Sequence, residues 1–403
     1  MSFKAALSLP RILLSPAWSL LRDAVGDLFG RSLPYKASEF VTPENLTAQL
    51  QLHSVVQFDP NVEIRSVRAR EQQPQSSNCC IQIVDINTDG AASELSLYIK
   101  LPMPQLATRW FMNVINSWEL ETYFCKHVAD SVPLRTPTTY AAQQQGTRFF
   151  LIQENLLADP QIKLFTNPDM MAGAPLELAY RCAAALAELH SAHYDLEWSQ
   201  RDAILPHRYH PFTGEQMRSV SQAMNQHALK PCMKIAGDRI PAAVVQAFEK
   251  TMANWSILLE HWFSGPQSLV HGDSHLGNFF VNGDTMGMLD FQAVHWGRGT
   301  RDLQYFLIYS LPADVLAANE QKIIEHYVAH RSSFGAPITV EDCWQEYRCL
   351  SFHALMTMVV SIGFGALNEE HNELMLEMLD RAVAAIIRVD YSAWLDEYLE
   401  RVA

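Results

Sequence analysis

His271-Gly272-Asp273-Ser274-His275-Leu276-Gly277-Asn278, followed after a short hairpin-like run by Asp290-Phe291-Gln292, decides how this chain is read. Asp273 lies in a loop beside Gly272, where a backbone can approach a ligand closely. Asn278 closes the loop and offers a neutral carbonyl oxygen. Asp290 follows two short apolar runs, Phe279–Val281 and Met286–Leu289, joined by the turn Asn282-Gly283-Asp284. Phosphoryl transfer needs hard oxygen ligands for one or two Mg²⁺ ions and a carboxylate to orient the attacking hydroxyl. Asp, Asn and Asp at a loop, a loop end and a strand end supply both. Singly, each is more often a turn-former. Jointly, H-G-D-x-x-x-x-N, a hairpin and D-F-Q form a much sharper pattern.

Outward from this segment the chain changes character. Up to about residue 154 it is mixed, with strands expected at Ile64–Val67, Cys79–Ile86, Leu95–Ile99 and Phe149–Gln153. One helix is expected over Asn113–Asp130. From Pro175 the pattern is mostly helical: Leu176–His193, then 241–263, 301–310, 314–330, 340–362 and 370–400. His190-x-x-His193 has a spacing that suits two metal ligands, but no third is evident, so core packing is the better reading. A mixed first lobe and a helical second lobe make an α+β fold.

The composition fits this. The chain has 403 residues, 48% of them hydrophobic, and a net charge of -14. Disorder and collagen-like repeats are excluded, and so acidic a chain is a poor non-specific ligand of nucleic acid. Seven cysteines without a C-x-x-C pair argue against a disulfide framework or zinc finger and for a reducing compartment. Pro10, Pro16, Arg11 and Arg22 interrupt the apolar N-terminus, which reads as an amphipathic extension and not as a signal peptide. Ala354–Leu367 is too short to span a bilayer. The expectation is a cytoplasmic protein, monomeric or homodimeric, with no nucleic-acid partner and no membrane span.

The 271–292 segment closely resembles the catalytic core of aminoglycoside phosphotransferases and choline kinases, within the protein-kinase-like fold. D-F-Q and the following Arg301-Asp302-Leu303-x-Tyr305-Phe306 look most like the ecdysteroid-kinase-like (CHK) branch. The resemblance covers roughly residues 40–395. It implies a two-lobe fold that uses ATP and Mg²⁺, with Asp273 as catalytic base. It also implies that Asn278 and Asp290 are metal ligands, that His271 braces the loop, and that Asp302 anchors the loop backbone. The implied division is an extension over 1–36, a nucleotide-binding lobe over 37–154 and a catalytic lobe over 155–403.

The nucleotide side rests on weaker signals. Lys100 ends the run Leu97-Tyr98-Ile99-Lys100, like the family's phosphate-binding lysine on its third strand. Its acid should come from the next helix. Glu119 and Glu121 both qualify, and Glu121 shares a face with Phe124, Cys125 and Val128, so it is preferred. Phe150–Leu156, with Gln153 and Glu154, resembles the linker whose backbone holds adenine. The loop at 70–78, where a glycine-rich phosphate lid is expected, has no glycine; Ser76, Ser77 and Asn78 would supply the donors.

Only Phe291–Arg301 separates Asp290 from Asp302, too little to grip a peptide, which favours a small-molecule hydroxyl as acceptor. Phe352, Met356, Met358, Val359 and Phe364 argue for an apolar one: sterol-, polyketide- or hydroxyacyl-like. The alternatives are a cationic acceptor of the aminoglycoside or choline kind, or a weakly active pseudokinase.

Overall fold

The computed structural model describes residues 3–29, 33–56, 63–74, 78–89, 94–207, 215–365 and 372–403. The chain forms two compact units. The first comprises Met1–Asp130, Thr136–Ile162 and Asp290–Ala293; the second comprises Ser131–Arg135, Lys163–Leu289 and Val294–Ala403.

The first unit is built on β1 (Ile64–Ala69), β2 (Cys79–Thr88), β3 (Glu94–Pro102), β4 (Thr139–Gln145) and β5 (Arg148–Glu154). They form one antiparallel sheet in the order β1-β2-β3-β5-β4. Side chains alternate across a strand, so each strand feeds two cores. Leu97, Ile99, Leu101, Phe150 and Ile152 face one, with Phe40, Leu46 and Leu50. Ile81, Ile83, Phe149 and Leu151 face the other, with Met112 and Trp118. Lys100 pairs in register with Ile81 and Leu151, so the period of two turns it toward this second face.

Where a single helix is expected over Asn113–Asp130 there are two, α3 (Leu106–Val114) and α4 (Ser117–His127). The break falls at Asn116, which takes a left-handed φ of 54°. Asparagine tolerates that conformation better than most residues, and its short side chain is why a helical pattern can end there. The N-terminal extension is also a helix, α1 (Phe3–Leu28), packed against α3. Asp23 is buried and accepts hydrogen bonds from Thr147 N (2.9 Å), Thr147 Oγ1 (2.6 Å) and Arg109 Nη2 (3.3 Å).

Strand β4 carries only a weak strand signal, because after Thr139 and Tyr140 the segment Ala-Ala-Gln-Gln-Gln has no β-branched or aromatic residue. It forms through its pairing with β5. Helix α2 (Pro43–Leu52) carries its start in plain view: Thr42 Oγ1 accepts from Asn45 N at 3.3 Å, and Pro43 takes the first helical position.

The second unit is mainly helical. The expected 241–263 helix is split into Ala242–Ala253 and Trp255–Trp262 at Asn254. The expected 370–400 helix is split into Asn372–Arg388 and Tyr391–Val402 at Asp390, where φ is 49°. Glu215–Ala236 is a helix despite Pro231. Thr300–Ser310 is buried on every side. Two short antiparallel pairs interrupt the helices: Phe279–Asn282 with Thr285–Met288, and Ser268–Val270 with His295–Gly297. Among the described residues no helix is long and apolar enough to cross a membrane.

Candidate active site

In the first unit, Lys100 is buried and its Nζ lies 2.9 and 2.8 Å from the two carboxylate oxygens of Glu121 and 2.8 Å from Asp290 Oδ1. One ammonium thus donates to two carboxylates. Burial pushes Glu121 up to about 7, opposed by Lys100 and reinforced by the Asp290 charge. Lys100 itself is held well above its ordinary value: its burial works against the charge, and the two carboxylates outweigh it.

Asp290 has a left-handed φ of 64°, a conformation that costs a non-glycine residue energy and is retained where its surroundings impose it. Phe291 stacks on Phe124 of α4, with ring centroids 3.9 Å apart. Gln292 Oε1 accepts from Asn78 Nδ2 at 2.8 Å and from Ser117 Oγ at 3.3 Å. Asn78 therefore meets the D-F-Q segment. Ser76 and Ser77 lie outside the described residues.

Gln153 and Glu154 sit at the end of β5. Gln153 Nε2 donates to Thr139 Oγ1 at 3.0 Å. The Glu154 N–H is taken by the Thr138 carbonyl at 2.9 Å, and its Oε1 accepts from Thr138 N at 2.6 Å.

In the second unit, the loop at 271–278 is held mainly by one carboxylate. Asp302 Oδ2 accepts from His271 N at 2.6 Å, and Oδ1 accepts from Gly272 N at 2.9 Å. Its own backbone carbonyl accepts from Ser274 Oγ at 2.8 Å. His190 Nε2 lies 3.1 Å from Oδ2, so this histidine contributes to loop support; among the described residues no three His, Cys, Asp or Glu side chains gather as a metal cluster. His271 Nδ1 accepts from Asp273 N at 3.2 Å, which leaves Nε2 to donate to the Leu289 carbonyl at 2.9 Å. The two contacts together select one neutral tautomer.

Two side chains hydrogen-bond to the Asp273 carboxylate. Tyr305 Oη donates to Oδ1 at 3.0 Å, and Asn278 Nδ2 lies 3.4 Å from Oδ2. Asn278 Nδ2 also donates to the Asp273 carbonyl at 2.7 Å. With the amide nitrogen spent on the loop, the hard donor left on Asn278 is its carbonyl oxygen. Leu289 N donates to the Asn278 carbonyl at 3.0 Å, and Asp290 is the next residue along the chain. His275 Nε2 is 3.9 Å from Asp273 Oδ2.

The contact of Tyr305 with Asp273 has a faint sequence signal. Tyr305 lies three residues after Asp302 on one helix, so both side chains reach the same loop. The Asn78–Gln292 contact has none, because it joins side chains 214 positions apart.

The model of the ecdysteroid kinase-like family matches residues 82–332. Among solved structures, the GDP complex of wild-type aminoglycoside 2'-phosphotransferase-IIIa is similar at 14% identity, over 85% of this chain and 98% of that chain, with a TM-score of 0.52. A choline kinase from Streptococcus pneumoniae is similar at 12% identity, over 81% and 94%, with a TM-score of 0.47. No curated protein matches the sequence. The first likeness shows the α+β, kinase-like fold: a small antiparallel-sheet lobe and a helical lobe. The family match spans more than half of the chain, and the protein belongs to the ecdysteroid kinase-like family of small-molecule kinases.

Proposed function

We propose that this protein transfers the γ-phosphoryl group of ATP, with Mg²⁺, to a hydroxyl of a mainly apolar small molecule of sterol-like kind. The observation that carries the reading is the buried Lys100 donating to Glu121 and Asp290. Lys100 Nζ would hold a phosphate oxygen, with Glu121 keeping the ammonium aimed, and Asp290 and the side-chain carbonyl oxygen of Asn278 would be the metal ligands. Carboxylate and amide oxygens suit so hard a cation, which neutralises charge developing on the phosphates.

Asp273 accepts the proton as the acceptor oxygen attacks phosphorus and the bond to the ADP oxygen breaks. Tyr305 on Oδ1 restrains the carboxylate, so Oδ2 is the oxygen presented to the hydroxyl. Asn78 and the end of β5 stand on the nucleotide side. Because the Glu154 N–H is already used, adenine recognition there falls to other backbone groups of the linker.

The family's description supports a steroid-like acceptor. The apolar residues of the 340–363 helix do not add to that support: Phe352, Met356, Met358 and Val359 are buried, and Phe352 stacks on Tyr391. Phe364 is exposed. An ATP-consumption screen over sterol, polyketide and hydroxyacyl alcohols, aminoglycosides and choline tests the reading. Turnover of a sterol alcohol that Asp273→Asn abolishes is expected. Efficient turnover of the cationic pools, with no phosphorylated sterol, polyketide or hydroxyacyl product by mass spectrometry, overturns the acceptor assignment.

A further inference from the structure

The second unit contains a cavity of about 400 Å³ that none of the residues discussed above explains. Arg331 lines it and is only 2% exposed, yet its Nε and Nη2 find no hydrogen-bond partner among the described residues. Ser268 lines it too, and its Oγ is likewise buried without a partner. A buried guanidinium with idle N–H groups is costly unless an acceptor reaches it.

The charge around the cavity favours an anion. Arg298, Arg331 and Arg401 face Asp342 and Glu346, a surplus of one positive charge in a chain of net charge -14. Glu346 is already committed: its Oε1 holds Arg298 and its Oε2 accepts from Thr300 Oγ1 at 2.7 Å. Asp342 Oδ2 accepts from Thr339 Oγ1 at 2.6 Å. Against its burial, the Tyr327 hydroxyl and the Glu346 charge both favour the charged form of Arg331, but neither occupies its Nε or Nη2. Trp394 and Ile338 give the rest of a mixed wall its apolar part, beside the polar Tyr194, His261 and Gln345.

We propose that this cavity binds a small organic anion, its acidic head on Arg331 and Ser268 and its apolar body on Trp394 and Ile338. The site touches the back of the 271–278 loop through a short chain of contacts. The Arg331 guanidinium lies 5.8 Å from the centre of the Tyr327 ring. Tyr327 Oη is 2.8 Å from His190 Nδ1, and His190 Nε2 is 3.1 Å from Asp302 Oδ2, which takes the His271 N–H. With Tyr327 donating to Nδ1, the ring must donate from Nε2 to Asp302, so the chain has one consistent direction. An anion that draws on Arg331 acts on the first member of this chain, and its occupancy is read at the loop amides.

Calorimetry on the full chain tests the site, with benzoate and inorganic phosphate as separate probes and hydrogen exchange reporting the loop. Benzoate is expected to bind saturably and more tightly than phosphate. Arg401→Glu, an exposed position, should weaken it by about tenfold through charge reversal, and Ser268→Ala by a smaller factor. Arg331→Gln removes the principal donor; where it fails to fold, the other two variants carry the test. Exchange at His271 and Gly272 should slow with benzoate, and Tyr327→Phe should keep binding while losing that slowing. No saturable binding, phosphate binding as tightly as benzoate, or indifference to Arg401→Glu overturns the site. Loop exchange unchanged by bound benzoate overturns the coupling. None of these readouts involves ATP, so failure here and failure of the kinase reading are distinguishable.

Discussion

Asp302 Oδ2 accepts the backbone N–H of His271 at 2.6 Å across 31 residues of chain, and its other oxygen takes the next N–H along. A carboxylate buried on two amides and a neutral histidine stays ionised: burial raises its pKa, but His190, His271 and the Gly272 amide outweigh that and hold it below the ordinary value. The loop carrying Asp273 therefore owes its shape to a residue on the helix Thr300–Ser310.

Asp302→Ala is expected to leave both amides buried without an acceptor, at a cost of at least about 2 kcal/mol. Denaturant unfolding and amide exchange of residues 271–274 check this. Unchanged protection at His271 and Gly272 would show that the loop is held some other way.

Lys100→Ala should remove the cation between two carboxylates and destabilise the first unit by about 3–5 kcal/mol. The double variant with Glu121→Ala should lose less than the sum of the single losses, since the two side chains form one pair. Thermal unfolding of the four proteins closes the cycle, and strict additivity would contradict the pairing.

Gly146 has a φ of 60°, and a Cβ there would fall 2.1 Å from Asp23 Oδ1. Gly146→Ala is expected to cost about 2–3 kcal/mol, from the left-handed backbone and the displaced carboxylate together. Adding Asp23→Ala should relieve the steric part while losing the hydrogen bonds to Thr147, so the two effects should not add. Melting temperatures of both single variants and the double variant decide it.

His190, His261 and His353 all have lowered pKa values, with burial the largest cause in each. His261 is brought to about 4, with Arg298 adding to the effect. Such groups bind protons in the unfolded chain first, so their contribution is fully present above about pH 6.5 and is lost as the pH falls through the folded values. Stability should drop on acidification from about pH 6.5 toward 4, and His261→Gln should flatten that slope. Urea midpoints across the range test it; a slope that His261→Gln leaves unchanged would remove His261 from the account.

Asp290→Ala is expected to abolish detectable Mg²⁺-ATP turnover while the protein stays folded, because one lost ligand removes charge neutralisation that phosphoryl transfer depends on. Full turnover by a folded, metal-saturated variant would contradict the metal role proposed for Asp290.

Local pattern alone determined a good deal about this protein. The alternation of Leu95, Leu97 and Ile99 marked β3, and the 3.6-residue rhythm marked helices over Leu176–His193 and 340–362. The spacing of Asp273, Asn278 and Asp290 pointed to phosphoryl chemistry, because that chemistry demands particular oxygens close together along a loop and a hairpin. Tertiary structure decided what spacing cannot encode. Helix ends at Asn116, Asn254 and Asp390 depend on the packing on either side, which overrides a continuous apolar rhythm. Strand β4 exists because β5 offers it a free edge to pair with. Asp23 with Thr147, Tyr305 with Asp273 and Arg331 beside its cavity are held by burial, where an unpartnered polar group is costly, and burial belongs to the folded chain and to no short stretch of it.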